Sequence, residues 1–130
     1  MTNRKISEIT HGQRLLALVG KTPVAEACRC IWETRKGSVL VIDEEHRLLG
    51  IFTGRDAVRV LADGKDPETT LLLDAMTPKP ITITPTTRAI DALRKMHEHG
   101  FRHLPVVDDG KILGVVSRGD FKGLELDLLD

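Results

Sequence analysis

Aromatic side chains are scarce in this chain, which has three phenylalanines, one tryptophan and no tyrosine among 130 residues. Proteins that hold single-stranded nucleic acid rely on aromatic rings on which bases stack, so such a surface is not expected here. Charge of one sign is not in excess either, since 19 lysines and arginines balance 19 aspartates and glutamates. The chain therefore lacks the electrostatic signature of a protein that binds nucleic acid or an anionic membrane.

Long hydrophobic runs and cysteines are also few. The apolar stretches are far shorter than the roughly 20 residues that span a bilayer, and no secretory signal is recognisable at the start. The two cysteines, Cys28 and Cys30, point to different faces of a predicted helix, which disfavours a disulfide between them and does not match zinc-finger spacing. We expect buried or half-buried thiols in a cytoplasmic protein, because the cytoplasm is reducing.

One short pattern occurs twice, at Gly50–Asp56 and at Gly114–Asp120. Each copy reads Gly, two apolar residues, a hydroxyl residue, two residues of which one is Arg, and Asp. An apolar run precedes each copy and an amphipathic stretch follows it, which predicts a strand that ends at a hydroxyl N-cap where a helix begins. The free N–H groups of a helix N-terminus suit phosphate, Arg adds positive charge, and Asp accepts hydrogen bonds from sugar hydroxyls.

The same spacing has a purely structural interpretation. Thr53-x-x-Asp56 and Ser117-x-x-Asp120 both match a capping box, in which two side chains satisfy the first N–H groups of a helix. On this alternative the pattern stabilises the fold and binds nothing.

The pattern recurs together with its surroundings, which indicates an internal duplication. When Thr22–Leu61 is laid against the sequence from Thr87 onward, with one extra residue in the turn of the first repeat, the glycines and aspartates of the two patterns coincide. Each repeat reads strand, helix, strand, strand, helix, which predicts an α/β (α+β) fold. Because each half is small for independent stability, we expect the repeats to pack through their sheets with pseudo-twofold symmetry. The first repeat with an N-terminal cap is assigned to 1–67, and the connector with the second repeat to 68–130.

The boundaries of the elements follow from hydrophobic periodicity and punctuation residues. Thr22 and Thr87 are interpreted as N-caps of the first helix in each repeat, and Gly37 and Gly100 as the residues that end those helices. Trp32, on the apolar face of the earlier helix, is expected in the core or at an interface. Strands are predicted at 15–19, 39–42, 48–52, 81–84, 104–107 and 112–116, and further helical segments at 6–9, 55–62, 70–76 and 118–124.

These features resemble a tandem pair of cystathionine-β-synthase (CBS) domains, also called a Bateman module. The resemblance covers nearly everything from residue 6 to residue 124, and two full copies of the motifs in order make it specific. It is carried by Thr22-x4-Ala27, Val39–Asp43 and Gly50-x-x-Thr53-x-x-Asp56 in the first repeat, and by Met76-Thr77, Thr87-x4-Ala92, Arg102–Asp108 and Gly114-x-x-Ser117-x-x-Asp120 in the second.

The resemblance implies a regulatory sensor, for example of cellular energy state, that binds AMP, ADP, ATP or S-adenosylmethionine in clefts between the repeats. Asp56 and Asp120 would hold ribose hydroxyls, and Thr53 and Ser117 would touch phosphate or ribose. Each cleft would combine the Asp of one repeat with walls from the other: Asp56 with Ile83, Thr84, Arg102 and His103, and Asp120 with Val19, Gly20, Gly37 and Ser38, while Arg55 and Arg118 supply charge.

The two expected clefts differ in charge. Arg102-His103 in the second repeat is matched by the uncharged Gly37-Ser38 in the first. We therefore expect the cleft of Asp56 to suit a charged phosphate better. The other cleft is expected to bind more weakly, to prefer a neutral group, or to be empty.

The sequence carries no recognisable catalytic constellation. It has no phosphate loop of the GxxxxGK[ST] type, no Ser/His/Asp order and no pair of carboxylates for one cleft. His97 and His99 diverge on a helix and, with His103, complete no metal site. We predict that the chain is not an enzyme and needs neither a metal nor a cofactor; the alternative to a sensor is a structural or protein-interaction CBS pair without a ligand.

The resemblance also implies a homodimer. Modules of this family often pair through the helices that follow the two patterns, and these helices carry apolar side chains. The side chains concerned are Val58, Val60, Leu61, Phe121 and Leu124. We further expect a regulated protein partner, whose identity the sequence does not give.

Overall fold

The computed structural model describes residues 4–121 and divides the chain into two compact units. The first unit contains Leu16–Pro80, and the second unit combines Met1–Leu15 with Ile81–Asp130. Within the described residues, no helix has the length and apolar character that crossing a membrane requires.

The elements form a mixed α+β fold in which each unit has its own sheet. The first unit has a four-stranded sheet and the second unit a two-stranded one. In chain order the elements are α1 (Ile6–Thr10), β1 (Ala17–Val19), α2 (Val24–Thr34), β2 (Ser38–Ile42), β3 (Leu48–Thr53), α3 (Gly54–Ala62), α4 (Leu72–Ala75), β4 (Thr77–Pro78), α5 (Ala89–His99), β5 (His103–Asp108), β6 (Lys111–Ser117) and a 3-10 turn (Arg118–Asp120).

The sheet of the first unit has the order β1-β2-β3-β4. β1 runs parallel to β2, and the pairs β2–β3 and β3–β4 are antiparallel. All five residues of β2 are buried, which explains why this strand is an uninterrupted apolar run rather than an alternating one. Helices and sheet contribute to one core, formed by Val24, Ala27, Val39, Val41, Phe52, Val60, Leu72 and Ala75.

The core of the second unit includes a residue from the N-terminal helix. Ile6 is fully buried among side chains of α5, β5 and β6, and its N–H donates to the carbonyl oxygen of Thr87 at 2.9 Å. The side-chain amide of Gln13 donates to the carbonyl oxygen of Val115 at 2.9 Å and accepts from its N–H at 2.7 Å. Gln13 thus satisfies the edge of β6 as a neighbouring strand would.

The two compact units are divided differently from the sequence repeats predicted at 1–67 and 68–130. The segment 68–80 belongs to the first unit, because Leu72 and Ala75 are buried in its core and β4 pairs with β3. The N-terminal segment belongs to the second unit. Each unit is therefore one repeat completed by the segment that precedes the other repeat.

The hydroxyl caps expected for α2 and α5 are wrong. Each helix begins one position later than expected, after Pro23 and Arg88, and neither has a side-chain cap. The main chain before both helices is bound to other segments instead, since the carbonyl oxygen of Thr22 accepts from the N–H of Leu72 and that of Thr87 accepts from α1. These long-range bonds hold the two threonines away from the capping position.

The two helix ends differ from one another. α5 ends at Gly100 as expected, and this residue adopts a left-handed conformation with φ of 71°. α2 ends earlier than the expected Gly37, because Arg35 takes the left-handed conformation itself with φ of 59°.

Two further elements are shorter than expected. The strand predicted at 81–84 is a single parallel bridge from Ile83 to β5. The helix predicted at 118–124 is a 3-10 turn, after which Phe121 is extended and buried. The remainder of that predicted helix lies outside the described residues.

Of the two places expected for Trp32, the core and an interface, the structure excludes the core. The Trp32 side chain is 85% exposed, whereas Cys28, one turn earlier on α2, is half-buried. Burial raises the pKa of the Cys28 thiol, although the charge of Arg29 acts in the opposite direction. Both cysteines are free and half-buried, as predicted for the thiols.

Candidate functional site

Both copies of the repeated pattern form the same turn at the end of a strand. β3 ends at Thr53 and β6 ends at Ser117, and a capping box is present in each case. The N–H of Thr53 donates to the carboxylate of Asp56 at 2.9 Å, and the N–H of Ser117 donates to that of Asp120 at 2.7 Å. The capping boxes predicted from the spacing are thus confirmed at both turns, and Thr53 and Ser117 both have an extended main chain.

The first unit brings Ser38 to its copy of the pattern, but it places Val19 and Gly20 at the other end of the sheet, where Val19 pairs with Ile42. The register of β2 and β3 pairs Ser38 with Thr53, so a buried hydroxyl lies beside the strand end. Val19 ends β1 and is 42% exposed, and a Cβ atom on Gly20 would meet Leu73 at 2.5 Å. The other predicted residues of this unit are exposed, namely Gly37 and Arg55.

The second unit places a histidine and two arginines beside its copy of the pattern. His103 is paired with Ser117 across β5 and β6, and the N–H of Arg118 donates to the carbonyl oxygen of Arg102 at 3.0 Å. Both arginines are exposed, whereas His103 and Asp120 are half-buried. The two other predicted residues of this unit differ in burial: Ile83 is buried and Thr84 is exposed. The combinations of residues expected from opposite repeats stay predictions.

Asp56 is 4% exposed, and hydrogen-bond donors surround its carboxylate. Oδ2 accepts from the N–H of Thr53 at 2.9 Å and from its hydroxyl at 3.2 Å. Oδ1 accepts from the hydroxyl of Thr77 at 3.2 Å and pairs with the Arg59 guanidinium at 3.1 Å. The same guanidinium donates to the carbonyl oxygen of Ala75 at 2.8 Å.

Two of these partners were missed by the analysis of the sequence. Arg59 follows Asp56 by three positions, a helical spacing that brings two side chains together, and this signal was available. Thr77 lies 21 positions away, and its contact with the carboxylate depends on the pairing of β3 with β4. In the sequence, Thr77 stands out only as part of the Met76-Thr77 motif of the resemblance.

The Asp120 carboxylate has fewer partners. Its Oδ2 accepts from the N–H of Ser117 at 2.7 Å and from the hydroxyl at 3.2 Å, and no other group among residues 4–121 donates to the carboxylate. Three positions later the sequence has Gly123, where the first copy has Arg59. The main-chain carbonyl oxygen of Asp120 accepts from Arg4 at 3.0 Å.

The pKa of His103, which lies near Asp120, is changed by the surroundings of its imidazole ring. Burial lowers the pKa of His103 below its ordinary value of 6.5; the negative charge of Asp120 raises the pKa, and the positive charge of Arg102 lowers it. The net decrease keeps the imidazole neutral at neutral pH.

We expect the free energy of unfolding to decrease as the pH falls through 6.5. The unfolded chain, in which His103 has its ordinary pKa of 6.5, takes up the proton before the folded chain does. His103→Gln should flatten this part of the profile. Urea unfolding between about pH 5 and pH 8 measures the slope, with His97→Gln at an exposed position of α5 as the control. Equal slopes for wild type and His103→Gln would contradict the assignment.

Two further histidines of the second unit, His97 and His99, were considered as metal ligands in the sequence. His97 and His99 are both exposed on α5, and the His99 ring stacks on Phe101 with 5.7 Å between ring centroids. In the described part of the chain, no three side chains of the metal-ligating types come together.

Known proteins match the chain in sequence. A family model described as CBS domain matches twice, at residues 6–63 and 72–126. The CBS domain-containing protein CBSCBSPB2 of Arabidopsis thaliana is 44% identical over 97 residues, which are 74% of this chain and 18% of that protein. The chain thus spans less than a fifth of the length of this relative.

Solved structures match the chain in fold. The CBS domain protein PAE2072 from Pyrobaculum aerophilum, complexed with AMP, has a TM-score of 0.86 at 25% identity, and the match covers 96% of this chain and 97% of that one. CBSX2 in complex with AMP has a TM-score of 0.80 at 28% identity, covering 98% of this chain and 99% of that one.

Proposed function

Because the chain belongs to the CBS domain family, we propose that it is a non-enzymatic regulatory module that binds an adenosyl nucleotide. The observation that carries the proposal is the doubled turn, in which a hydroxyl residue and an aspartate have the same arrangement at two strand ends. Two similar structures contain AMP, which makes AMP the first candidate. ADP, ATP and S-adenosylmethionine share the adenosyl group and are the others.

Recognition of the nucleotide combines hydrogen bonds with charge. One of the two matching aspartates, Asp56 or Asp120, holds the ribose, because an ionised carboxylate accepts hydrogen bonds from neighbouring hydroxyls. Exposed arginines beside the two turns meet the phosphate, and the threonine or serine at each strand end contacts phosphate or ribose. The remaining proposed contacts are those predicted from the sequence: Val19, Gly20, Gly37, Ser38, Ile83, Thr84 and His103.

The output of binding is a shift between two arrangements of the protein. A ligand shifts such an equilibrium only as far as its affinities for the two arrangements differ. The shift alters contact with a regulated protein partner or with a second copy of the chain. The free thiols of Cys28 and Cys30 suit a reducing cytoplasm, which is the proposed location.

A homodimer through α2 and α3 is part of the proposal, with a changed set of residues. Val58 and Leu61 are 64% and 67% exposed and remain candidates. Val60 and Phe121 are buried, so they do not contribute as expected, and Leu124 lies outside the described residues.

The surface of the first unit supports this dimer. An apolar cavity of about 270 Å³ is lined by Val24, Ala25, Cys28, Ala57, Val60, Leu61 and Pro67. Trp32, one helical turn beyond Cys28, extends this apolar face, and large exposed apolar patches are characteristic of protein interfaces. Light scattering measures the outcome directly, and a mass of twice 14.4 kDa is expected.

Calorimetric titration of the purified chain with AMP tests the ligand proposal. We expect saturable binding of AMP and a stability gain of about 2.7 kcal/mol at about one hundred times the dissociation constant. GMP is the control, since it has the same ribose and phosphate as AMP and a different base. If no adenosyl compound binds at millimolar concentration, the ligand-free alternative, a structural or protein-interaction CBS pair, replaces the proposal.

A further inference from the structure

We infer that the two matching aspartates have different roles. Asp56 stabilises the packing of the segment 72–78 against α3, and Asp120 is the residue that binds the ribose of the ligand. The second part rests on the proposed function, whereas the first part does not depend on a ligand.

The Asp56 carboxylate has no acceptor site left for a ligand. An ionised carboxylate offers about four lone-pair sites, and four donors already occupy them: the N–H and hydroxyl of Thr53, the hydroxyl of Thr77 and the guanidinium of Arg59. The side chain is also 4% exposed. A ribose hydroxyl would have to displace Thr77 or Arg59 from Oδ1, and it would then replace one hydrogen bond to the carboxylate by another without a net gain.

The donors on Oδ1 tie Asp56 to one segment of the chain. Thr77 belongs to β4, where it pairs with Ile51 of β3, and Arg59 also donates to the carbonyl oxygen of Ala75 at the end of α4. Asp56, Arg59 and Thr77 therefore form a clasp between α3 and the segment 72–78. We call these three residues the connector clasp.

No such clasp holds the Asp120 carboxylate. Both hydrogen bonds from Ser117 reach Oδ2, and Oδ1 has no donor among residues 4–121. Asp120 is half-buried, whereas Asp56 is only 4% exposed.

The residues of the second repeat that correspond to Arg59 and Thr77 explain why the two carboxylates have different numbers of donors. Gly123 stands where Arg59 stands in the first repeat and has no side chain to offer. At the edge of β6, Gln13 occupies the place that Thr77 has at the edge of β3, where Thr77 pairs with Ile51. Both polar atoms of the Gln13 amide bind the main chain of Val115, so neither is left for Asp120. Asp120 is thus the acid with an oxygen that accepts from no donor among residues 4–121, and this reverses the order of affinity expected from Arg102-His103.

Two conservative substitutions separate the roles. Asp120→Asn should weaken AMP binding, measured by calorimetry, by about tenfold or more, because a charged acceptor is replaced by a neutral amide. Asp56→Asn should keep the dissociation constant of the wild type. Hydrogen exchange at the N–H groups of Met76 and Lys79, which donate to Leu72 and Leu49, should accelerate in Asp56→Asn and not in Asp120→Asn. Loss of AMP binding in Asp56→Asn with retention in Asp120→Asn would overturn the inference.

A second variant keeps Asp56 and removes its partners, in case Asp56→Asn does not fold. Arg59→Ala with Thr77→Val frees Oδ1 of Asp56, so exchange in the segment 72–78 should accelerate while AMP affinity stays that of the wild type. Tighter AMP binding in this variant would identify Asp56 as a masked ribose site and refute the assignment.

Failure of the proposed function has its own signature. If the wild type binds no adenosyl compound, the role of Asp120 falls with the proposed function. Hydrogen exchange still tests the role of the connector clasp, because this measurement needs no ligand. Unchanged protection of the Met76 and Lys79 N–H groups in Asp56→Asn would overturn that role.

Discussion

Replacing Ile6 by alanine is expected to lower the free energy of unfolding by about 2–5 kcal/mol, the range found for truncation of a fully buried isoleucine. Ile6 is 0% exposed and belongs to the core of the second unit. Its position near the start of the sequence suggests the opposite, because chain termini ordinarily tolerate substitution. The large effect follows from burial and not from position in the sequence.

Urea unfolding followed by far-ultraviolet circular dichroism measures this change. Leu15→Ala is the matched control, since Leu15 lies in the same N-terminal segment and is 43% exposed. It should stay within about 0.5 kcal/mol of the wild type. If Ile6→Ala falls in the same narrow range, the N-terminal helix is not part of the core of the second unit.

Gly50→Ala is expected to destabilise the first unit by about 1–3 kcal/mol or more, as overpacking does. A Cβ atom at this position would lie 2.5 Å from the sulfur of Met76 and 2.7 Å from the carbonyl oxygen of Thr77. The Met76 side chain is flexible, but the carbonyl oxygen of Thr77 is main chain in β4, which pairs with β3. The clash is relieved only if this pairing is disturbed.

Gly54→Ala is the control for Gly50→Ala. A Cβ atom on Gly54 meets nothing within 4 Å, and Gly54 is the first residue of α3, where alanine is a better helix former than glycine. Thermal unfolding should therefore show a lower midpoint for Gly50→Ala and an unchanged or higher one for Gly54→Ala. Equal midpoints for both variants would mean that β4 does not lie against Gly50.

Local sequence signals predicted the parts of the fold that depend on neighbours in the chain. The uninterrupted apolar run of β2, the hairpin of β5 and β6, and the end of α5 at Gly100 all follow from periodicity and turn residues over a few positions. The capping boxes at Thr53 and Ser117 follow from spacing alone. The duplication then made the family recognisable, although each motif is short.

The features that were wrong or missed depend on distant segments. Thr22 and Thr87 have the composition of N-caps, yet main-chain bonds to other segments occupy their positions. Trp32 has the spacing of an apolar helical face, but only the residues in the first half of that face, such as Val24 and Ala27, are buried, and Trp32 is exposed. The state of Asp56 could not be predicted from its own pattern, because one of its partners, Thr77, is brought to it by β4.

The contribution of the N-terminal segment to the second unit has a consequence for the order of folding. Gln13 and Val115 are 102 positions apart, so a long loop must close before this contact contributes, which slows folding. The first unit is continuous in sequence and has no such requirement. During synthesis α1 leaves the ribosome about a hundred residues before β6, and the first unit has time to form in that interval. Two repeats that are alike in sequence thus acquire their structure on different timescales.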